Sequence, residues 1–368
     1  MAVYRFSPVG SVSANDYYPA WKYNTQVRNN LNYVLQKPRV ELYRTNPTGV
    51  WPQSQWQSIP LGQESYDSAN GVDGQLHEPG ADGERIRLNR VGVWLVEGLV
   101  TWDDAGAALH QVRIVKNGVD VQAQADASGI SGVENPVVVL AVVRATSVQD
   151  FVELRARTRF DGKRIKGGVE DTAFRAVWLG EDPGSVTTWT APTTASTGTF
   201  TSSRFNTQVK ANLEHLHGRP SCCVYENADQ TIATGSGWTT LSMNAEDWDS
   251  ETLHDTSTND ERITLKRVGL WLLTGTVVFD TGAAGGDFGA RIYANGSTLH
   301  GTVIRDLEPQ LYAAGNAWPP TAHVQAMVYT STTTDYCTLD VFQTSGGNLD
   351  VLCGTPELTS FRAVWLGG

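Results

Sequence analysis

The chain has 368 residues, 40% of them hydrophobic and 18% charged, and carries a formal net charge of −11. That balance can bury real cores and is not the composition of a disordered chain. It excludes a general binder of nucleic acid or of anionic membranes, since both need clustered Lys and Arg. No apolar run is long enough for a spanning helix, and MAVYRFSPVGSVSAND lacks the basic-then-apolar order of a secretory signal.

In chain order, residues 1–22 form an irregular, aromatic-bearing lead-in or attachment segment. Residues 24–36 are predicted as a helix, because Val27, Leu31 and Val34 recur at helical spacing as one apolar stripe. Pro38 stops it. A helix of three or four turns needs a partner in water, either its own β domain or the same helix from a sister chain. The pattern then turns to strands: PRVELYR, WQSIPL, RIRLNRVGVWLVEGLVTW, HQVRIVKNGVDV, PVVVLAVVRA, DFVELRART and FRAVWLG favour β-branched and aromatic residues. Residues 181–204, rich in Thr, Ser, Pro and Gly, are predicted as an extended linker. A second helix, with Val209, Leu213 and Leu216 as its stripe, is stopped by Pro220 and leads into a second set of strands.

The second set repeats the first. YNTQVRNNLNYVLQKPRVELY (Tyr23 to Tyr43) aligns without a gap on FNTQVKANLEHLHGRPSCCVY (Phe205 to Tyr225). ERIRLNRVGVWLVEG, from Glu84, matches ERITLKRVGLWLLTG, from Glu261, and FRAVWLG occurs at Phe174 and again at Phe361. A long period present twice means duplicated domains and not a solenoid, which needs at least three copies. The expected boundaries are 23–180 for helix plus domain 1 and 205–368 for helix plus domain 2. Asn117-Gly118 and Asn295-Gly296 occupy equivalent places as hairpin turns. Many short strands with turns and no interleaved helices indicate an all-β sandwich or jelly roll.

Cys222, Cys223, Cys337 and Cys353 all fall in the second copy, with no metal-ligand spacing; they are expected to be buried free thiols, with a Cys337–Cys353 bridge as the alternative. Two acidic loops, from Tyr66 to Glu84 and from Glu246 to Glu261, each hold a Leu-His-acid step at His77 and His254. Calcium favours such oxygen ligands, yet the regular calcium-loop spacing is missing. No cofactor is expected, and calcium is kept as the candidate metal. No nucleophile elbow, zinc-protease motif or phosphate loop occurs, so no catalytic residue is assigned and the chain is expected not to be an enzyme. Trp94, Trp178, Trp271 and Trp365, shared by both copies, are assigned to the cores, with a subunit interface as the alternative. Trp51, Trp102, Trp248 and Trp318 are not shared and are candidates for stacking on a sugar ring.

The ladder RVGVWLVEG, RIVKNGV, VVRATSVQDFVELRA, FRAVWLG resembles the jelly roll of complement globular heads and tumour-necrosis-factor-like proteins. The resembling segments are Gly92 to Gly98, Lys116 to Gly118 and Asp150 to Leu154, and Gly269 to Gly275, Asn295-Gly296 and Asp335 to Leu339 in the second copy. Two departures occur: Cys337 stands where the first copy has Val152, and the first copy has five more residues between Trp56 and His77 than the second has between Trp238 and His254. The lead-in from Thr190 to Pro220 is similar to segments opening such domains in minor tail and other virion proteins of actinobacterial phages. The resemblance implies two tandem jelly-roll (TNF-like) sandwiches, each preceded by a short α-helix, in a homotrimer. It implies a non-enzymatic virion protein, most directly a minor tail or tail-fibre-type component for assembly or host adhesion. Its expected partners are itself, other tail proteins, and a host envelope glycan or protein, with no membrane insertion. A head decoration or head-fibre protein on the capsid surface, or a bacterial carbohydrate- or protein-binding module outside a virion, are the alternatives.

Overall fold

The computed structural model describes residues 37–47, 51–52, 54–67, 76–77, 83–103, 109–128, 135–159, 163–168, 170–181, 218–235, 237–280, 286–307 and 319–367. These are all-β, with no helix. The two predicted helices, with Val27, Leu31, Val34, Val209, Leu213 and Leu216, lie outside the described residues, as does Trp318.

The first half contributes β1 (Arg39–Tyr43), β2 (Gln57–Ser58), β3 (Gln63–Asp67), β4 (Arg85–Arg87), β5 (Gly92–Asp103), β6 (Leu109–Lys116), β7 (Asp120–Ser128), β8 (Asn135–Ala145), β9 (Phe151–Thr158), β10 (Arg164–Ile165) and β11 (Thr172–Gly180). One sheet runs β3-β1-β11-β5, and β8 and the short β10 also pair with β5. The facing sheet runs β2-β9-β6-β7, with β4 also on β9. All pairs are antiparallel, and strands adjacent in space are often far apart in sequence: β1 pairs with β11, and β6 with β9. Two such sheets joined by crossing connections make the jelly-roll pattern. Between them lies an apolar core including Val40, Trp94, Val96, Val112, Val139, Leu154, Phe174 and Trp178.

The second half contributes β12 (Ser221–Tyr225), β13 (Gln230–Ile232), β14 (Thr239–Thr240), β15 (Ala245–Asp249), β16 (Arg262–Thr264), β17 (Gly269–Val278), β18 (Gly286–Ala294), β19 (Thr298–Leu307), β20 (Thr321–Thr330), β21 (Tyr336–Gln343), β22 (Leu349–Val351) and β23 (Ser360–Gly367). Its sheets run β15-β12-β23-β17-β20 and β14-β21-β18-β19, the order of the first half, with a separate β13-β22 pair added. The register repeats as well. Trp94 lies opposite Trp178, and Trp271 opposite Trp365.

The repeated motifs have local physical reasons. Both Asn-Gly pairs take positive φ, 52° and 78° at Asn117 and Gly118 and 50° and 63° at Asn295 and Gly296. That geometry matches the twist of the flanking strands. In Arg-Val-Gly-x-Trp, the indole N–H of Trp94 donates to Arg90 O (2.9 Å), and that of Trp271 to Arg267 O (2.9 Å). The same arginines lay their guanidinium groups 5.1 Å from the ring centres of Trp178 and Trp365. Gly98 and Gly275 leave space for the facing sheet. A Cβ on Gly98 would overlap Leu154 Cδ1, and one on Gly275 would come within 2.6 Å of Leu339 Cδ1.

Candidate functional site

The four tryptophans shared by the copies are 0–4% exposed and belong to the two cores. The partly buried Trp56 lies between Arg113 and Arg157, at 4.1 and 4.5 Å, and the partly buried Trp238 against Phe342 at 4.6 Å. The sugar-stacking assignment of Trp51, Trp102 and Trp248 needs correction. They are 4%, 0% and 5% exposed and offer no ring face to a glycan. Trp51 packs edge-on against Trp102 at 6.1 Å, and Trp102 stacks on His110 at 4.4 Å. Trp248 lies on β15 and donates to Ser221 Oγ (3.2 Å). An indole unshared between copies is not thereby a surface indole, because large aromatics are drawn inside wherever a neighbouring element covers them.

In each acidic segment a buried histidine is held by a glutamate of the neighbouring strand. His77, wholly buried, has Nδ1 2.8 Å from Glu64 Oε1 on β3. Its counterpart His254 has Nδ1 3.0 Å from Glu246 Oε1 on β15, and Nε2 3.1 Å from Asp260 O. Around His254 opens a cavity of about 580 Å³, lined by Glu246, Asp249, Asp255, Thr258, Arg262 and Lys266 among others. The carboxylates there are used by the loop's own backbone. Asp249 accepts from the Glu251 and His254 amides, and Asp255 from those of Ser257 and Thr258. The Ser257 amide, followed by its hydroxyl and the Thr258 amide, holds the exposed Asp255 carboxyl below its usual value. Among the described residues no group of three or more His, Cys, Asp or Glu is disposed to hold a metal ion.

All four cysteines are free and buried. Burial pushes the Cys223 thiol up to about 11 and the Cys337 and Cys353 thiols up to about 12. Thiols held protonated in this way are poor nucleophiles and poor metal ligands at neutral pH.

The largest feature that sequence reasoning missed is the contact between the two halves. Strand β8 faces its own core with Val137, Val139, Ala141 and Val143, and turns Leu140 and Val142 the other way. Those two pack with Val93 and Leu179 against Cys223, Trp248, Leu272 and Val364 of the second half, on the outer face of the β15-β12-β23-β17 sheet. Polar groups fix the register. The Thr321 amide donates to Asp126 Oδ2 (3.1 Å), Gln124 Nε2 to Thr321 Oγ1 (2.9 Å), and Arg362 Nη1 to Val142 O (3.3 Å). Arg362, 2% exposed, also donates to Cys223 Sγ at 3.2 Å. One signal in the sequence marks this contact. NPVVVLAVVRA is apolar on both faces, as expected of a strand covered on both sides, whereas its counterpart TAHVQAMVYT is not.

No protein-family model and no curated protein sequence matches the chain. Among solved structures, murine APRIL at pH 5.0 is 16% identical, with 39% of this chain and 99% of that one covered at a TM-score of 0.30. The Eiger TNF of S. frugiperda is 13% identical, covering 40% and 94% at 0.30. The globular domain of zebrafish complement 1qA is 12% identical, covering 40% and 99% at 0.29. Likenesses at such scores carry no functional argument, and the jelly-roll pattern stands here on strand order and register.

Proposed function

We propose that the chain is a non-enzymatic structural component of a phage virion, most directly a minor tail or tail-fibre-type protein that forms a trimer. In this reading two tandem jelly-roll domains follow one another, each led in by a short helix, and the protein serves assembly and host-surface adhesion. The observation that carries it is the repeated lead-in before each β half, Asn-Thr-Gln-Val followed by Leu and Pro at fixed spacing, which resembles virion proteins. The contact between the halves supports a packing role, since its apolar centre and hydrogen-bonded rim have the make-up of a stable interface. A host glycan or protein as ligand, and calcium in the acidic loops, are proposals of lower rank. The reading is tested by the native mass of the full chain by light scattering, together with the genes that flank its own. About three times 40.0 kDa beside tail genes supports it. A monomer encoded away from any virion genes overturns it in favour of a stand-alone binding module.

A further inference from the structure

The two Asn-Gly hairpins hold equivalent places, but their surroundings differ. In the first half Lys116, the residue before Asn117, reaches across the base of the hairpin. Its Nζ donates to Arg144 O (2.8 Å) and lies 3.4 Å from Asp150 Oδ2. The repeated register puts Ala294 at the place of Lys116 and Thr298 at that of Asp120. It also puts Tyr329 at the place of Arg144 and Tyr336 at that of Phe151. The second half therefore lacks three charged groups of the first, and the space that the lysine stem crosses is open. A cavity of about 270 Å³ lies there, lined by Ala294, Asn295, Thr298, Tyr329, Ser331 and Tyr336 among others.

Among the described residues, no lysine or arginine lines this cavity, and the carboxylate of Asp335 at its wall is already taken. Asp335 Oδ1 accepts from Asn295 Nδ2, and Oδ2 from the Ser331 and Thr332 amides, each at 3.1 Å. Neither an anion nor a cation finds an open counter-charge. The hydroxyls of Thr298, Tyr329, Ser331 and Tyr336, by contrast, have no partner among the described residues. Each of them can both donate and accept. Arg262 lies over the Tyr336 ring, 4.7 Å from its centre, and fixes it. Tyr329, 68% exposed, is the ring left free to stack.

We propose that this cavity binds one ring of a neutral saccharide. A pyranose carries an apolar C–H face and a rim of hydroxyls that donate and accept. Its face lies on Tyr329, whose ring is the apolar body of an amphipathic side chain. Its rim meets the four unpartnered hydroxyls, which match it in kind. The volume falls short of what encloses a drug-sized molecule, and it suits a single ring whose chain continues into solvent. The site belongs to the second half alone, because Lys116 spans the counterpart place and Arg144 and Asp120 leave it charged. This gives the glycan ligand of the reading above a place and a chemical class, and it requires neither the trimer nor the virion.

The test is saturation-transfer NMR on the full chain with the methyl glycosides of glucose, galactose, mannose and N-acetylglucosamine. They are titrated through the millimolar range, where a contact worth about 4 kcal/mol is half saturated. At least one glycoside is expected to receive saturation from the wild type. Y329A, which removes an exposed ring, should weaken that binding about tenfold, the worth of one aromatic contact. A294K restores the lysine of the first half and should abolish binding by filling the cavity. Melting temperatures check that both variants fold. Silence from all the glycosides overturns the proposal, and so does binding that is equal in the wild type and Y329A, even where A294K fails to fold. Neither result bears on the native mass or the flanking genes, which test the virion reading separately.

Discussion

At the scale of single residues, the repeat preserves positions where backbone and side chain from opposite sheets compete for the same space. Gly98 on β5 and Leu154 on β9 are such a pair, and Gly275 with Leu339 is its copy. Neither glycine has positive φ, so the demand is for room and not for conformation. Gly98→Ala is expected to cost about 1–3 kcal/mol through overpacking. Leu154→Val alone leaves a small void costing about 1 kcal/mol. The double variant should be less destabilised than the sum of the two, by about 1 kcal/mol, because the shorter side chain makes room for the added methyl. Chemical denaturation of all four proteins measures this, and strict additivity would show that the two residues do not compete.

At the scale of elements, each Asn-Gly hairpin is tied to the start of the strand beside it. Asn117 donates to Asp150 Oδ1 (3.0 Å) and accepts from the Phe151 amide (3.1 Å), and Asn295 does the same with Asp335 and Tyr336 at 3.1 and 2.9 Å. Asp150 Oδ2 also accepts from the Thr146 and Ser147 amides. Burial alone would push the Asp150 carboxyl up. The Asn117 side chain, the Thr146 amide, Lys116 and the Ser147 amide together outweigh it and hold the group below its ordinary value. A carboxyl depressed in the folded state stabilises above its unfolded pKa of about 3.9 and loses that contribution as pH falls through the lower folded value. Asp150→Asn should therefore lower the melting temperature at neutral pH and flatten its fall below about pH 4. The neutral cost is about 1–2 kcal/mol, the worth of hydrogen bonds to a charged acceptor. An equal acid limb in both proteins would place the acid sensitivity elsewhere.

Such elements were legible in the sequence because their signals are local. Asn-Gly demands positive φ, and the apolar residues at every second place along β9 and β21 announce the core-facing sets Val152, Leu154 and Ala156 and Cys337, Leu339 and Val341. The contact between the halves is not local, and only the doubly apolar β8 hints at it. Trp248 is covered by that same contact, whereas Trp51 and Trp102 fill the first-half core. Trp248 and Tyr66 hold equivalent places, yet the first is covered and the second is not, since burial there depends on which edge packs across the face.

At the scale of the whole molecule, the two halves share more than a chain, and one thiol reports on their union. Cys222 and Cys223 are neighbours on β12 that point to opposite sides. Cys222 joins the second-half core, and Cys223 joins the contact with the first half, under Leu140 and Val142. Both are wholly buried, and burial raises both thiols, so at neutral pH neither is thiolate to any useful extent. Native protein is thus expected to resist iodoacetamide at both positions. Val142→Asp places a charge in the contact without touching either core, and the cheapest relief is separation of the halves, which exposes Cys223 and leaves Cys222 inside its sheet. Peptide mapping by tandem mass spectrometry should show Cys223 modified at least about tenfold faster in the variant, with Cys222 unchanged, since opening that costs about 1.4 kcal/mol less raises the open population tenfold. Equal acceleration at both cysteines would mean that the second half unfolds as a unit and that the contact contributes to its stability. No acceleration at either would mean that the halves are held together by something other than the apolar edge of β8.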